Sequence, residues 1–301
     1  MNADAEASWG WPDDYDFFET TRFLRTGGND PTLKREADGL WRVARTAEGP
    51  ATVRITVRDG EAIEARAWGD GAAAVLESVP SWLGLNEPVW QLPEHPVTDR
   101  LLHEYSGVRL NDTGDVFEAL VNVILQQQIT WNEAAFLWRR VVEEFGEPAP
   151  GPEGLRLLPE PRTLRRAGID RLAGLGIGRQ RAVTLNEVAF SASRLQRAAE
   201  LPTQEASELL QKVRGVGPWT AAMVLGLRFA RPEPVVFGDV HLPHAVCFAL
   251  AGEQRGSDER MAELLEPFAG NAFRVIRLIH AARIEAPRRA PKRETRFGRR
   301  R

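Results

Sequence analysis

Two glycines one residue apart, Gly215 and Gly217, and one aspartate, Asp239, are the residues around which chemistry can be built in this sequence. An amphipathic helical segment ends at Val213, the turn Gly215-Val216-Gly217 follows, and Pro218 opens the next helix at the position proline prefers. The glycines allow positive φ and let the backbone come close to another chain. Unpaired amides at the start of the next helix form an anion site, and Val216 between the glycines can pack inward. Such a helix-hairpin-helix grips a phosphate of DNA through main-chain amides and reads no base sequence. The same turn also serves as an ordinary tight connection between packed helices. Beyond it, Pro232-Glu233-Pro234 leads into Val235-Val236-Phe237-Gly238-Asp239, an apolar extended segment that delivers one carboxylate close to a helix start. Aspartate is a favoured cap at such places, so structural and chemical uses compete for it.

The elements that must position these residues fall into two textures. Segments 39–45, 51–57 and 62–68 carry alternating or β-branched apolar residues, separated by Glu48-Gly49-Pro50 and Asp59-Gly60, as in an antiparallel meander. A helix is expected over 71–79 with a break at Pro80, and 85–97, with Pro88, Pro93 and Pro96, reads as a linker. After it only helices are expected. They cover 116–125 (capped by Asp112-Thr113), 132–145, 161–167, 170–173, 179–198, 203–213, 218–229, 242–251, 258–268 and 272–283, with a Pro/Gly-rich loop over 147–161. The fold class is therefore mainly α. A small α+β domain over 1–97 precedes an all-α domain over 98–284, and residues 285–301 form a basic tail expected to be disordered.

Composition narrows the function classes. A lone cysteine, Cys247, leaves no internal disulfide and no four-cysteine metal site, and its apolar surroundings predict a buried, inert thiol. The acidic start, Met1-Asn2-Ala3-Asp4-Ala5-Glu6, is not a signal peptide, and no stretch reaches the length of a membrane span. A cytoplasmic protein with no membrane partner is expected. The net charge of −3 hides an asymmetry: from Arg283 onward nine Lys and Arg face Glu285 and Glu294, a local +7 that leaves −10 for the rest. Such a tail either touches phosphates or only aids solubility. Without a basic body, affinity for DNA must come from local features.

The hairpin followed by a Gly/Pro-rich loop and an aspartate resembles the signature of the helix-hairpin-helix DNA glycosylase superfamily, most closely the AlkA-type 3-methyladenine DNA glycosylases. Leu120-Val121-Asn122-Val123-Ile124-Leu125-Gln126-Gln127-Gln128-Ile129-Thr130 resembles the family's helix and Gln-rich turn. Gly174-Leu175-Gly176-Ile177-Gly178-Arg179-Gln180-Arg181-Ala182 resembles its second glycine-rich turn. The N-terminal unit resembles the family's TATA-binding-protein-like domain.

The resemblance implies a monomeric, nucleoid-associated enzyme of base excision repair. It would flip a damaged base out of duplex DNA, and it needs no cofactor. Asp239 would stabilise the oxocarbenium-like sugar. Gln128 would fill the gap left by the flipped base, and Gln127, Gly176, Gly178, Arg179, Thr220 and His241 would join the hairpin in holding DNA.

Trp219 stands where bifunctional members carry a nucleophilic lysine, which implies base release without strand cleavage. An electron-rich indole there can stack on a cationic alkylated purine, or pack the two helices together. Trp131, Trp138, Phe117, Tyr105 and Met223 are further candidates for the base pocket, each also a candidate core residue. Met223, the 268–272 region and His241 and His244 depart from the AlkA pattern, which bears on the lesion rather than the reaction. The hairpin carbonyls could hold a monovalent cation, and no carboxylate cluster offers a divalent site.

Overall fold

The computed structural model describes residues 2–58 and 60–287. The expected tail contact therefore lies, from residue 288 onward, outside the described residues, as does Asp59 of the expected turn.

Five antiparallel strands form the N-terminal sheet: β1 (Ala5–Gly10), β2 (Leu33–Glu36), β3 (Gly39–Arg45), β4 (Pro50–Arg58) and β5 (Ala62–Trp68). Their order is β1-β5-β4-β3-β2. The three central strands coincide with the alternating segments. β1 and β2 were not expected, because Ala-Glu-Ala-Ser-Trp-Gly and Leu-Lys-Arg-Glu carry no β-branched residue and owe their conformation to pairing with β5 and β3. Helix α1 (Phe17–Thr20) leads away from β1. Helix α2 (Ala72–Trp82) lays Val75, Leu76, Val79 and Trp82 on the sheet.

Pro80 does not break α2 as expected. It removes one backbone donor, but burial of Trp82 and Leu83 holds the last turn in place. The chain turns instead at Gly84, at φ 65°.

The rest is helical apart from one short antiparallel pair, Glu147–Pro148 with Arg156–Leu157, which forms inside the stretch expected to be a loop and corrects the expectation of helices only. Helix α3 (Pro96–Glu104) begins inside the expected linker. The imidazole Nδ1 of His95 accepts from Val97 N at 3.2 Å, and Pro96 opens the first turn. Helix α4 (Val116–Gln126) is capped by Asp115, which accepts from Glu118 N at 2.8 Å. Asp112, the expected cap with Thr113, instead receives Gly114 N in a turn of its own. Helix α5 (Trp131–Phe145) starts at a reciprocal Thr130–Glu133 capping box. There follow α6 (Pro161–Leu172), kinked at Gly168, α7 (Arg179–Leu195), α8 (Thr203–Gln211), α9 (Pro218–Arg228), α10 (Leu242–Ala251), α11 (Asp258–Leu265) and α12 (Ala272–Ala281).

Three large apolar cores result, with a small fourth cluster of Val43, Leu155 and Leu157 beside the sheet. One lies under the sheet and includes Tyr15, Val53, Ile55, Ile63 and Val79. A second joins α4, α5, α7 and α8 to α9 through Leu120, Ile124, Trp138, Leu185, Val213, Val216 and Leu225. The third gathers α3 and α10 to α12 around Leu101, Val246, Leu265, Phe273 and Ile276, with Trp90 from the expected linker. Trp219 and Met223 of α9 pack against both helical cores, so the hairpin sits at the seam between them.

Helix α1 and the last described helix, α12, are tied together. Arg277 of α12 is buried and donates to the Glu19 carbonyl at 2.6 Å, and Arg22, Arg277 and Arg283 all pair with the Glu19 carboxylate.

Candidate active site

Asp239 meets three N–H donors. Its Oδ2 accepts from the Trp219 indole Nε1 at 2.9 Å, and its Oδ1 accepts from His241 N and Leu242 N, each at 2.8 Å. The two uses weighed for this residue thus coincide: it caps α10 and it stands, partly open, beside the tryptophan at the seam. Gly238, at φ 82°, makes the bend that turns the carboxylate toward Trp219, and its own N–H is held by Asp258 Oδ2 at 2.8 Å. Phe237 and Val240, on either side, are exposed.

The hairpin has the geometry its glycines imply. Gly215 lies at φ 90° and packs so closely on α7 that a Cβ there would collide with the Thr184 hydroxyl. Val216 is buried and Gly217 is extended at the helix start, leaving the first amides of α9 without a side-chain cap. The Gly215 carbonyl accepts from Gln127 Nε2 at 3.0 Å, and the Val213 carbonyl from Val216 N.

Two neighbouring turns complete the face. Gln128 is exposed and takes a left-handed conformation at φ 60°, which a non-glycine residue adopts only under constraint. Gly176 and Gly178 lie at φ 90° and 79° in the second turn, and Arg179 beyond them is exposed and pairs with Asp170 at 3.0 Å. Arg181, given no role in the sequence analysis, fastens the two turns. Its guanidinium donates to the carbonyls of Ile177 at 2.6 Å, Leu125 at 3.3 Å and Gln127 at 3.1 Å. A helical arginine carries no sequence signal for such a tie. Arg214, beside Gly215, is exposed.

Several expected site residues lie elsewhere. Gln127 and Thr220 are bonded to each other at 2.9 Å, and Thr220 is buried, so their side chains brace the hairpin rather than reach DNA. Trp138 is a core residue whose indole donates to the buried Asp30 carboxylate at 2.9 Å. Phe117 sits in the first turn of α4, at the end remote from Gln127. It lines a separate cavity of about 540 Å³ shared with Arg42, Trp82 and Gln196. Trp131 is 45% exposed at the start of α5. Periodicity told none of these apart, because each is an aromatic on an amphipathic helix and only packing decides which way it points. Tyr105 and Met223 are half-buried against the third core. His241 contributes its amide to Asp239, and His244 Nδ1 accepts from Gly256 N at 3.1 Å, fixing the loop after α10.

The structure adds an aromatic pair that the sequence did not mark. Phe23, just after α1, contacts the ring of His280 of α12 at 5.8 Å, and both are partly open. Arg22 and Arg277 lie over the Phe23 ring at 4.6 and 4.5 Å. Burial, then Arg277 and Arg22, push the imidazole down to about 4, against a weaker opposing pull from Asp239. His280 is therefore neutral at physiological pH, and its Nδ1 is buried without a hydrogen-bond partner.

Residues 121–269 match the family model described as HhH-GPD superfamily base excision DNA repair protein. A putative DNA-3-methyladenine glycosylase, YfjP, of Bacillus subtilis is 27% identical over 48% of this chain, a match spanning about half (51%) of that relative. A DNA-3-methyladenine glycosylase of the same organism is 28% identical over 64% of this chain and 67% of its own length. In three dimensions the chain is similar to a 3-methyladenine DNA glycosylase from Archaeoglobus fulgidus. The TM-score is 0.76 at 22% identity, with 91% of this chain and 96% of that one covered, a likeness of fold that includes the N-terminal sheet.

Proposed function

Since this chain carries an HhH-GPD domain of base excision DNA repair proteins and is homologous to DNA-3-methyladenine glycosylases, we propose that it is a monofunctional glycosylase releasing alkylated purines from duplex DNA. The observation that carries the reading is the Asp239 carboxylate, pinned by three N–H donors beside a half-buried tryptophan at the seam of two helical cores. In the reaction the C1′–N bond breaks and its electron pair leaves with the base, which an N3- or N7-alkyl cation makes a good leaving group. Positive charge develops on the deoxyribose, and Asp239 stabilises it at close range and orients the water that adds to C1′, whose proton then passes to solvent. No general acid is required for a base that is already cationic.

Trp219 presents an electron-rich face to such a base while its N–H holds the carboxylate. Met223 and the Phe23–His280 pair, within electrostatic reach of Asp239, form the rest of the wall. A neutral imidazole does not repel a cationic purine. The hairpin amides of Gly215, Val216 and Gly217, with Gly176, Gly178 and Arg179, hold the backbone, and the strained Gln128 enters the gap left by the flipped nucleotide. No lysine amine stands at the Trp219 position to attack the sugar, so the abasic strand remains uncut. The all-α domain over 98–284 carries the carboxylate and the hairpin, the N-terminal unit lends Phe23, and the protein works as a monomer on nucleoid DNA in the cytoplasm. Among the described residues no helix is long and apolar enough to cross a membrane.

Base release from methylated duplex DNA, followed chromatographically, tests this. Wild type should free 3-methyladenine or 7-methylguanine and leave an intact abasic strand. Asp239→Asn should bind DNA but release base at least ~100-fold more slowly. Release of neutral 8-oxoguanine in preference to alkylated purines, or strand cleavage by wild type, would overturn the substrate or the monofunctional assignment respectively.

A further inference from the structure

Six large apolar residues are exposed among the described residues: Phe18, Val89, Trp131, Phe190, Phe237 and Val240. Two of them lie near guanidinium groups within the protein, Phe18 by Arg35 at 5.7 Å and Phe190 by Arg165 at 5.7 Å. Trp131, Phe237 and Val240 have no such ring or cation partner among the described residues, and they are not scattered. Trp131 follows the Gln128 turn, while Phe237 and Val240 bracket Asp239 and are 42% and 75% exposed. A continuous set of hydrogen bonds joins the two loops across the hairpin. Gln127 reaches Gly215 and Thr220, and Trp219, next to Thr220, reaches Asp239.

We propose that Trp131, Phe237 and Val240 form an apolar rim that packs on the sugars and base edges flanking the flipped nucleotide, so that much of the affinity for duplex DNA is insensitive to salt. This deepens the glycosylase reading and rests on it for the choice of partner. Outside the Lys- and Arg-rich run from Arg283 onward the chain sums to −10, so counterion release draws there on local cations such as Arg179 and Arg214 rather than on a basic body. Apolar side chains set against bases and sugars of a bent, opened duplex supply a contribution of a different kind. Their positions suit it, because the gap opened by base flipping lies between the loop that fills it and the loop that carries the carboxylate. Exposed rings on both of the loops that flank the hairpin mark a contact surface.

The test measures binding of the full chain to a duplex carrying a stable abasic analogue over a range of salt concentrations. Trp131→Ala and Phe237→Ala should each weaken binding roughly tenfold, Val240→Ser by less, all with the slope of log affinity against log salt unchanged. Arg214→Ala, at the hairpin, should weaken binding and shallow that slope by about one phosphate contact. Trp131→Phe should restore most of the loss. Rim variants that bind like wild type, or that change the slope as Arg214→Ala does, overturn the proposal, as does a wild type with no measurable affinity for the duplex. All three side chains are exposed, so an unaltered thermal midpoint separates lost contact from lost fold. The readout is binding, so failure of Asp239→Asn to slow base release would sink the glycosylase reading without touching this result, and the converse also holds.

Discussion

A carboxylate that must face a developing cation cannot be free to rotate, and the Trp219 indole decides how Asp239 is held. Two backbone amides fix one oxygen whatever side chain stands at position 219, but the second oxygen is held by the indole N–H alone among the described side chains. Trp219→Phe keeps a ring of similar polarity and removes that donor. We expect kcat for base release to fall about ten- to a hundredfold with KM nearly unchanged, because the ring still stacks. Trp219→Ala should raise KM as well. Steady-state kinetics on a defined alkylated duplex separates the two. The position of Asp239, at the end of an apolar segment and just before a helix, was legible in the sequence. Its bond to Trp219 was not, since the two sit on different elements and nothing in their spacing says that they meet. Trp138 shows the opposite failure. It is as prominent in the sequence as Trp219, yet its partner is Asp30 in the core.

At the scale of elements, three turns make one surface only because side chains behind them lock them together. Arg181 ties the glutamine turn to the second glycine turn, Gln127 ties it to the hairpin, and Gly215 lies flush on Thr184. Gly215→Ala adds both a positive-φ penalty and a collision with Thr184, so a loss of at least about 2 kcal/mol is expected, with duplex binding reduced beyond what the lower stability explains. Chemical denaturation and a binding titration on the same sample check both parts. The helices themselves were largely readable, since amphipathic periodicity and capping residues are local. The edge strands and α3 were not. β1 has no strand propensity without β5 beside it, and α3 hides behind prolines that normally mark a loop. Asp112 for Asp115 is a shorter miss, a choice between neighbouring acids that only the backbone trace could make.

For the whole molecule, two titrating groups set opposite trends with pH. Removal from water and the charge of Glu118 push Asp115 up to about 6 from 3.8. Between those values the folded state holds more protons than the unfolded one. Stability from this group is thus complete below 3.8 and is lost as pH rises through about 6. His280, pushed down from 6.5 to about 4, works the other way: its contribution is complete above 6.5 and is lost as pH falls through about 4. Asp115→Asn keeps an acceptor for Glu118 N but cannot ionise. Its melting temperature should exceed that of wild type at neutral pH, with the difference vanishing in acid, where Asp115 is itself protonated in both the folded and unfolded states. A series of melts across pH reads this directly. His280 belongs to another circuit as well. The buried bond from Arg277 to Glu19 spans 258 positions of sequence, and the Arg22 bond to the His280 carbonyl the same distance. On the ribosome, at about 5–20 residues per second, Phe23 therefore waits on the order of tens of seconds for the helix that brings His280 against it. Until then the nascent chain can carry a finished sheet and hairpin while α12 has yet to tie back to Glu19, so on our reading of the site base release begins only once that helix docks.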